Sequence, residues 1–172
     1  MSRPTQRPNL QPGQRWVWDF PRPPALQRVH KRIRIVHAGV TLIETNKAYE
    51  VLETSHPPVY YLPPPTPGSN AANYFRGNPR SSFCEWKGQA SYVDVVNLPD
   101  GQPDLIAAGW TYPNPTKRFA DVAGYVAFYP SKFDACYVDD ERVEAQPGDF
   151  YGGWITCDLV GPFKGSAGTL GW

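Results

Sequence analysis

Glu53 and His56 stand three residues apart across a turn that Pro57 and Pro58 stiffen. A carboxylate beside an imidazole holds one tautomer and raises the basicity of the ring, so the pair has the makings of a general base, His56, with its orienter, Glu53. A blander reading competes with it: Pro57 already demands an extended residue at 56, no nucleophile is adjacent in sequence, and the imidazole then only ties down its own turn. The second dense cluster is Cys84-Glu85-Trp86-Lys87. Strand alternation would place Cys84 with Trp86 and Glu85 with Lys87. Cys84 is then a buried structural thiol if Trp86 faces the core. Glu85 and Lys87 project together, either as a solvated ion pair or as the polar end of a ligand site in which Lys87 meets an anionic group.

Aromatic residues give the strongest hint of binding. Tyr60, Trp110, Tyr112, Tyr125, Tyr129 and Trp154 recur through the chain, and alternation puts Trp110 and Tyr112 on one face. Half-buried rings with polar tips suit a flat, planar or cationic ligand. With one Met beside 6 Trp, 10 Tyr and 8 Phe, the same rings also serve as the core of a small β domain. The glycine-dense stretches at 149–154 and 161–165 would let backbone N–H groups approach an anion, a weak signal without a following helix. No metal site is expected: Cys84, Cys136 and Cys157 are widely separated, no CxxC occurs, and His30, His37 and His56 form neither HxxxH nor HExxH. No cofactor is predicted.

The elements that would position these groups are mostly strands. Arg32–His37 and Val40–Ile43 around Ala38-Gly39 read as a hairpin, and Thr45 or Asn46 as the cap of a short helix through Tyr49. Val51–Glu53 and Val59–Leu62 look extended on either side of the prolines. Residues 63–82 hold five prolines and predict a long surface loop, a candidate lid. Strand signals follow at Phe83–Trp86, Ala90–Val96, Leu105–Tyr112, Gly124–Tyr129 and Ala135–Val138, interrupted by a brief helix at Thr116–Val122. The expected fold is mainly β: a single small antiparallel β-barrel or β-tent-like domain over 28–172, with one or two short helices and a Pro/Arg-rich N-terminal arm over 1–27.

The 172 residues, with 20 Pro and 15 Gly, are enough for one domain and too aromatic for wholesale disorder. No stretch approaches the ~18 apolar residues of a membrane helix, and the first residues lack the apolar core of a signal peptide. A soluble, cytoplasmic chain is expected, and its odd number of scattered cysteines fits a reducing compartment. The net charge of +1 hides an asymmetry: of 17 basic side chains eight fall in the first 34 residues, against the single acid Asp19. The remaining nine basic and 15 acidic residues leave the body near −6. A basic arm carrying Trp16, Trp18 and Phe20 is expected to lie back on that body, and nucleic acid is an improbable partner.

Several strings then add up: Trp18-Asp19-Phe20-Pro21-Arg22-Pro23-Pro24, Glu53-Thr54-Ser55-His56-Pro57-Pro58-Val59-Tyr60-Tyr61, Ser82-Phe83-Cys84-Glu85-Trp86-Lys87-Gly88, Trp110-Thr111-Tyr112-Pro113 and Gly124-Tyr125-Val126-Ala127-Phe128-Tyr129. Together they resemble domain-of-unknown-function family 427 over roughly residues 16–160. The resemblance implies a small antiparallel β domain similar to the β-tent, or Mss4-like, architecture, without its zinc, because the cysteine pairs are missing. The family is sometimes labelled nucleotidyltransferase-like. Such enzymes need a Gly-Ser turn and paired carboxylates for Mg²⁺, and Asp139-Asp140, in an expected turn, offers neither. The chain departs from many members at Pro64–Ser69, which replaces acidic residues.

These readings converge on a small planar or anionic metabolite held by Tyr60, Trp110 and Tyr112, with Glu53, His56, Glu85 and Lys87 as polar groups. The alternatives are a protein-interaction module using the arm or the 63–82 loop, and the nucleotidyltransferase of the family label.

Overall fold

The hairpin at the start of the body follows from its turn. Ala38 and Gly39 both take positive φ, 50° and 73°, as a two-residue connection matched to strand twist requires. Ile33–His37 therefore pairs antiparallel with Val40–Thr45, and Ala135–Val138 adds to its other side, followed by Glu141–Arg142. A second four-stranded sheet runs in the order Val126–Phe128, Leu105–Thr111, Gly88–Val95, Phe75–Cys84, each pair antiparallel. A third, of three strands, joins Ala25–Arg28, Tyr49–Leu52 and Val59–Tyr61. A bridge from Leu62 to Val126 links it to the second sheet. This computed structural model describes residues 2–172.

Ile33, Ile35, Leu42, Phe128, Cys136 and Trp154 fill the larger core cluster. Val51, Tyr61, Trp110, Tyr112 and Phe119 with Ala127 make a second one, at the boundary between the second and third sheets. Each large side chain so buried contributes about 1.5–3 kcal/mol relative to exposure. The N-terminal segment lies along the body: Arg15–Trp16 pairs parallel with Leu159–Val160, Val17 is fully buried, and Trp18 donates from its indole to the Pro162 carbonyl. Two of its arginines pair with acids, exposed Arg7 with Asp19 and part-buried Arg15 with both Glu50 and Asp158.

The chain is mainly β, but no closed barrel forms; the strands divide among separate sheets. Among the described residues five short 3₁₀ helices stand in place of the one or two helices expected. No helix forms at 45–49: the Thr45 hydroxyl accepts from the Lys47 N–H and closes a tight turn, so Thr45 ends one strand and Tyr49 begins the next. Lys117–Val122 is a 3₁₀ segment broken at Phe119. The loop expected over 63–82 is half strand, because Phe75–Cys84 pairs with Gly88–Val95 at the sheet edge. Pro79 sits in a bulge between Asn78 and Ser81, where its missing N–H costs no ladder bond. Among the described residues no helix is long and apolar enough to cross a membrane.

Candidate functional site

The turn between Leu52 and Val59 carries the first polar pair. Ser55 takes a left-handed backbone, φ 71°, and is fully buried, with its N–H bonded to the Val17 carbonyl and its carbonyl receiving the Lys164 N–H. That reversal brings Glu53 and His56 to one side, with His56 Nε2 3.2 Å from Glu53 Oε2. Arg22 from the N-terminal segment reaches the same Oε2 at 3.3 Å and the Thr54 carbonyl at 3.0 Å. Among the described residues Glu53 Oε1 has no hydrogen-bond partner, and Glu53 borders a cleft of about 670 Å³.

The far side of the imidazole is held by Gln146. Gln146 Oε1 accepts the Gly153 N–H at 3.0 Å, which fixes the amide so that Nε2 donates to the Lys164 carbonyl at 2.8 Å and to His56 Nδ1 at 3.0 Å. Nδ1 is therefore the acceptor, and the ring proton sits on Nε2, facing Glu53. Both nitrogens of His56, which is 7% exposed, are engaged. Gly153 permits this approach, because a Cβ there would collide with Gln146 Oε1 and Pro57, and at Gly152 a Cβ would enter the Trp110 ring.

Trp110 and Tyr112 line the cleft from the end of Leu105–Thr111 and the residue after it. Tyr61 joins them, its hydroxyl accepting from Trp110 Nε1 at 3.2 Å, and Tyr129 stacks at 4.6 Å from Trp110, tilted by 47°. Burial pushes the Tyr61, Tyr112 and Tyr129 phenols up, so they stay neutral hydrogen-bonding groups at neutral pH. Cys84 pairs with Gly88, so Glu85, Trp86 and Lys87 form the three-residue turn of a hairpin and alternation does not govern them. All three border the cleft, and half-buried Cys84 packs against the same aromatic cluster. Lys87 Nζ lies 5.8 Å from the Tyr112 ring centre and 5.7 Å from that of Phe119. Among the described residues no carboxylate comes within salt-bridge distance of Lys87.

Burial would raise the Glu53 carboxyl, but the His56 hydrogen bond and the nearby Lys87 and Arg22 cations outweigh it and hold the group below its ordinary value. The site thus presents an ionised carboxylate and an ammonium beside stacked rings. No cluster of three or more His, Cys, Asp or Glu among the described residues is disposed to hold a metal ion.

Six of the seven residues singled out from sequence, Glu53, His56, Glu85, Lys87, Trp110 and Tyr112, meet at this cleft. Tyr60 does not. It points the opposite way from Tyr61, packs 5.2 Å from Trp154 and borders a separate hollow with Arg15 and Glu50. Pleating turns adjacent residues to opposite faces, and Tyr61 is the one turned to the cleft. Sequence reasoning missed Gln146 and the side chains of Tyr151 and Lys164, whose only signal was the pair of glycine-dense stretches, 149–154 and 161–165, that hold the latter two.

No curated protein matches the chain. A family model matches residues 25–139, which carry Glu53, His56, Tyr61, Lys87, Trp110 and Tyr112 but not Gln146 or Lys164. The chain belongs to the family described as Domain of unknown function (DUF427).

Proposed function

We propose that the cleft binds a small planar or anionic metabolite. The observation that carries this reading is the half-buried Lys87 ammonium without a carboxylate partner among the described residues, 5.8 Å from the Tyr112 ring centre in a cleft of about 670 Å³ that Trp110 and Tyr61 also line. That volume falls within the roughly 300–1,000 Å³ of small-molecule sites. Glu53 is the polar group that meets the ligand. His56, with both nitrogens engaged, acts as its positioning residue rather than as a base. Any proton moved during turnover would pass through Glu53 Oε1. The three free thiols, Cys84, Cys136 and Cys157, suit a reducing cytoplasm.

A second reading, an interaction module, draws on Phe83 and Phe150, which stand 77% and 76% exposed at the rim of the cleft. The arm favours it less, because Arg7, Arg15 and Arg22 are already paired with acids of the chain.

The test is a thermal-shift screen against planar and anionic metabolites, with and without Mg²⁺, on the wild type and on Lys87→Met. A saturating ligand at 100 times its Kd adds about 2.7 kcal/mol. Metal-independent hits lost in Lys87→Met are expected. A screen silent throughout would overturn the reading and favour the interaction module, and hits confined to Mg²⁺ and nucleotides would favour nucleotidyl transfer.

A further inference from the structure

Two charged groups face the cleft without completing their hydrogen bonds. Glu53 uses Oε2 for His56 and Arg22 and leaves Oε1 open, an acceptor. Lys87 Nζ makes no hydrogen bond among the described residues and is a donor. Both border the same cleft, where the Lys87 charge helps hold Glu53 ionised, and no salt bridge joins them. An open acceptor and an open donor in one cleft make a recognition edge. Its complement is a ligand with a donor and an acceptor side by side on one rim.

The alternatives fare worse on charge. A simple aryl anion would satisfy Lys87 but leave Glu53 Oε1 without a donor, and it would add negative charge to a cleft where Glu53, Glu85 and Asp149 already outnumber Lys87 and Lys164. A simple cation would satisfy Glu53 and meet Lys87. A neutral ring whose N–H is adjacent to a C=O satisfies both and repels neither. Its flat faces suit the Trp110, Tyr112, Phe83 and Phe150 rings that line the cleft, and the neutral phenols of Tyr61 and Tyr112 offer no charge for it to oppose.

We propose that the cleft selects a planar lactam heterocycle, a fused or single ring of the pyrimidinone, purinone or pteridinone class, whose N–H donates to Glu53 Oε1 and whose adjacent carbonyl accepts from Lys87 Nζ. This rests on the reading of the cleft as a small-molecule site and narrows it. Glu53 is then the specificity determinant: it rejects planar anions that Lys87 alone would accept. His56 matters because with Arg22 it keeps Oε2 occupied, and Gln146 because it holds His56 in place.

The experiment is titration calorimetry on the full chain with three probes: lumazine, lumazine methylated at its lactam nitrogens, and 2-naphthoate as a planar anion of similar size. Lumazine should bind, methylation should weaken it at least tenfold, and naphthoate should bind more weakly than lumazine. Glu53→Gln turns its amide N–H₂ toward the ligand when its carbonyl keeps the His56 and Arg22 bonds. It should therefore weaken lumazine tenfold or more while strengthening naphthoate, and Lys87→Met should weaken both. Circular dichroism of the two variants reports that they fold, and the comparison among probes stands on the wild type alone. Equal binding of lumazine and its methylated form, or tighter binding of naphthoate than of lumazine to the wild type, overturns the lactam assignment while leaving the small-molecule site intact. Absence of binding by all three probes counts against the lactam assignment, and only a silent metabolite screen as well would remove the site.

Discussion

Gln146 is 3% exposed and spends its whole amide on three partners: the Gly153 N–H, the Lys164 carbonyl and His56 Nδ1. Gln146→Leu keeps the bulk and removes all three bonds at once. Each is worth about 1 kcal/mol net, so the variant should lose about 3 kcal/mol of stability, more if the freed groups find no water. For a chain of this size that corresponds to a melting temperature lower by about 6–12 °C. Guanidinium unfolding reads the loss as a lower midpoint at unchanged slope. Gln146→Glu discriminates further. Its carboxylate still accepts from Gly153 but faces the lone pairs of Nδ1 and of the Lys164 carbonyl, so it too is destabilised at neutral pH. Nitrogen NMR on the wild type should find the His56 proton on Nε2. A loss under about 1 kcal/mol in Gln146→Leu, or a proton on Nδ1, would refute the assignment.

Three further outcomes are expected. Because Glu53 is held below its ordinary value, its contribution to stability is present above about pH 4.5 and is lost as pH falls through its lowered folded value, so Glu53→Gln should flatten the acid limb of a stability–pH curve relative to the wild type. Arg15→Ala strips Glu50, 5% exposed, of its ion-pair partner and should cost about 3–5 kcal/mol, read by urea unfolding; a cost under about 1 kcal/mol would mean that Gln27, which also bonds Glu50, suffices. Burial pushes the Cys136 thiol up to about 12, so iodoacetamide at pH 8 should leave Cys136 unlabelled in the native protein and label it once urea is added, as mass spectrometry would show.

The parts of the site that were legible in sequence are those set by short-range geometry. Trp110 and Tyr112 share a wall because strand pleat repeats every two residues, and Glu53 and His56 converge because a proline-stiffened turn leaves them little choice. Alternation says that Tyr60 and Tyr61 face opposite ways but not which faces the cleft; the neighbouring sheet decides that, and it took Tyr61. Lys87 was assigned to the site on strand alternation, whereas a hairpin turn brings it there. Gln146 and Lys164 left no motif because their roles depend on contacts made ninety or more residues away, at His56 and Ser55. The extended run through 75–84 was hidden by Pro79, which reads as a loop signal until one sees that a bulge on an outer strand tolerates it.

That proline has a further consequence. Phe75–Cys84 offers solvent a ten-residue outer edge ending beside an exposed phenylalanine, the kind of surface on which identical chains stack into insoluble ribbons. Pro79 breaks the run of amides that an incoming strand would need, and the exposed cations of Arg76 and Arg80 flank the break. The residue that disguised the strand in the sequence also keeps copies of the molecule from zipping together along it.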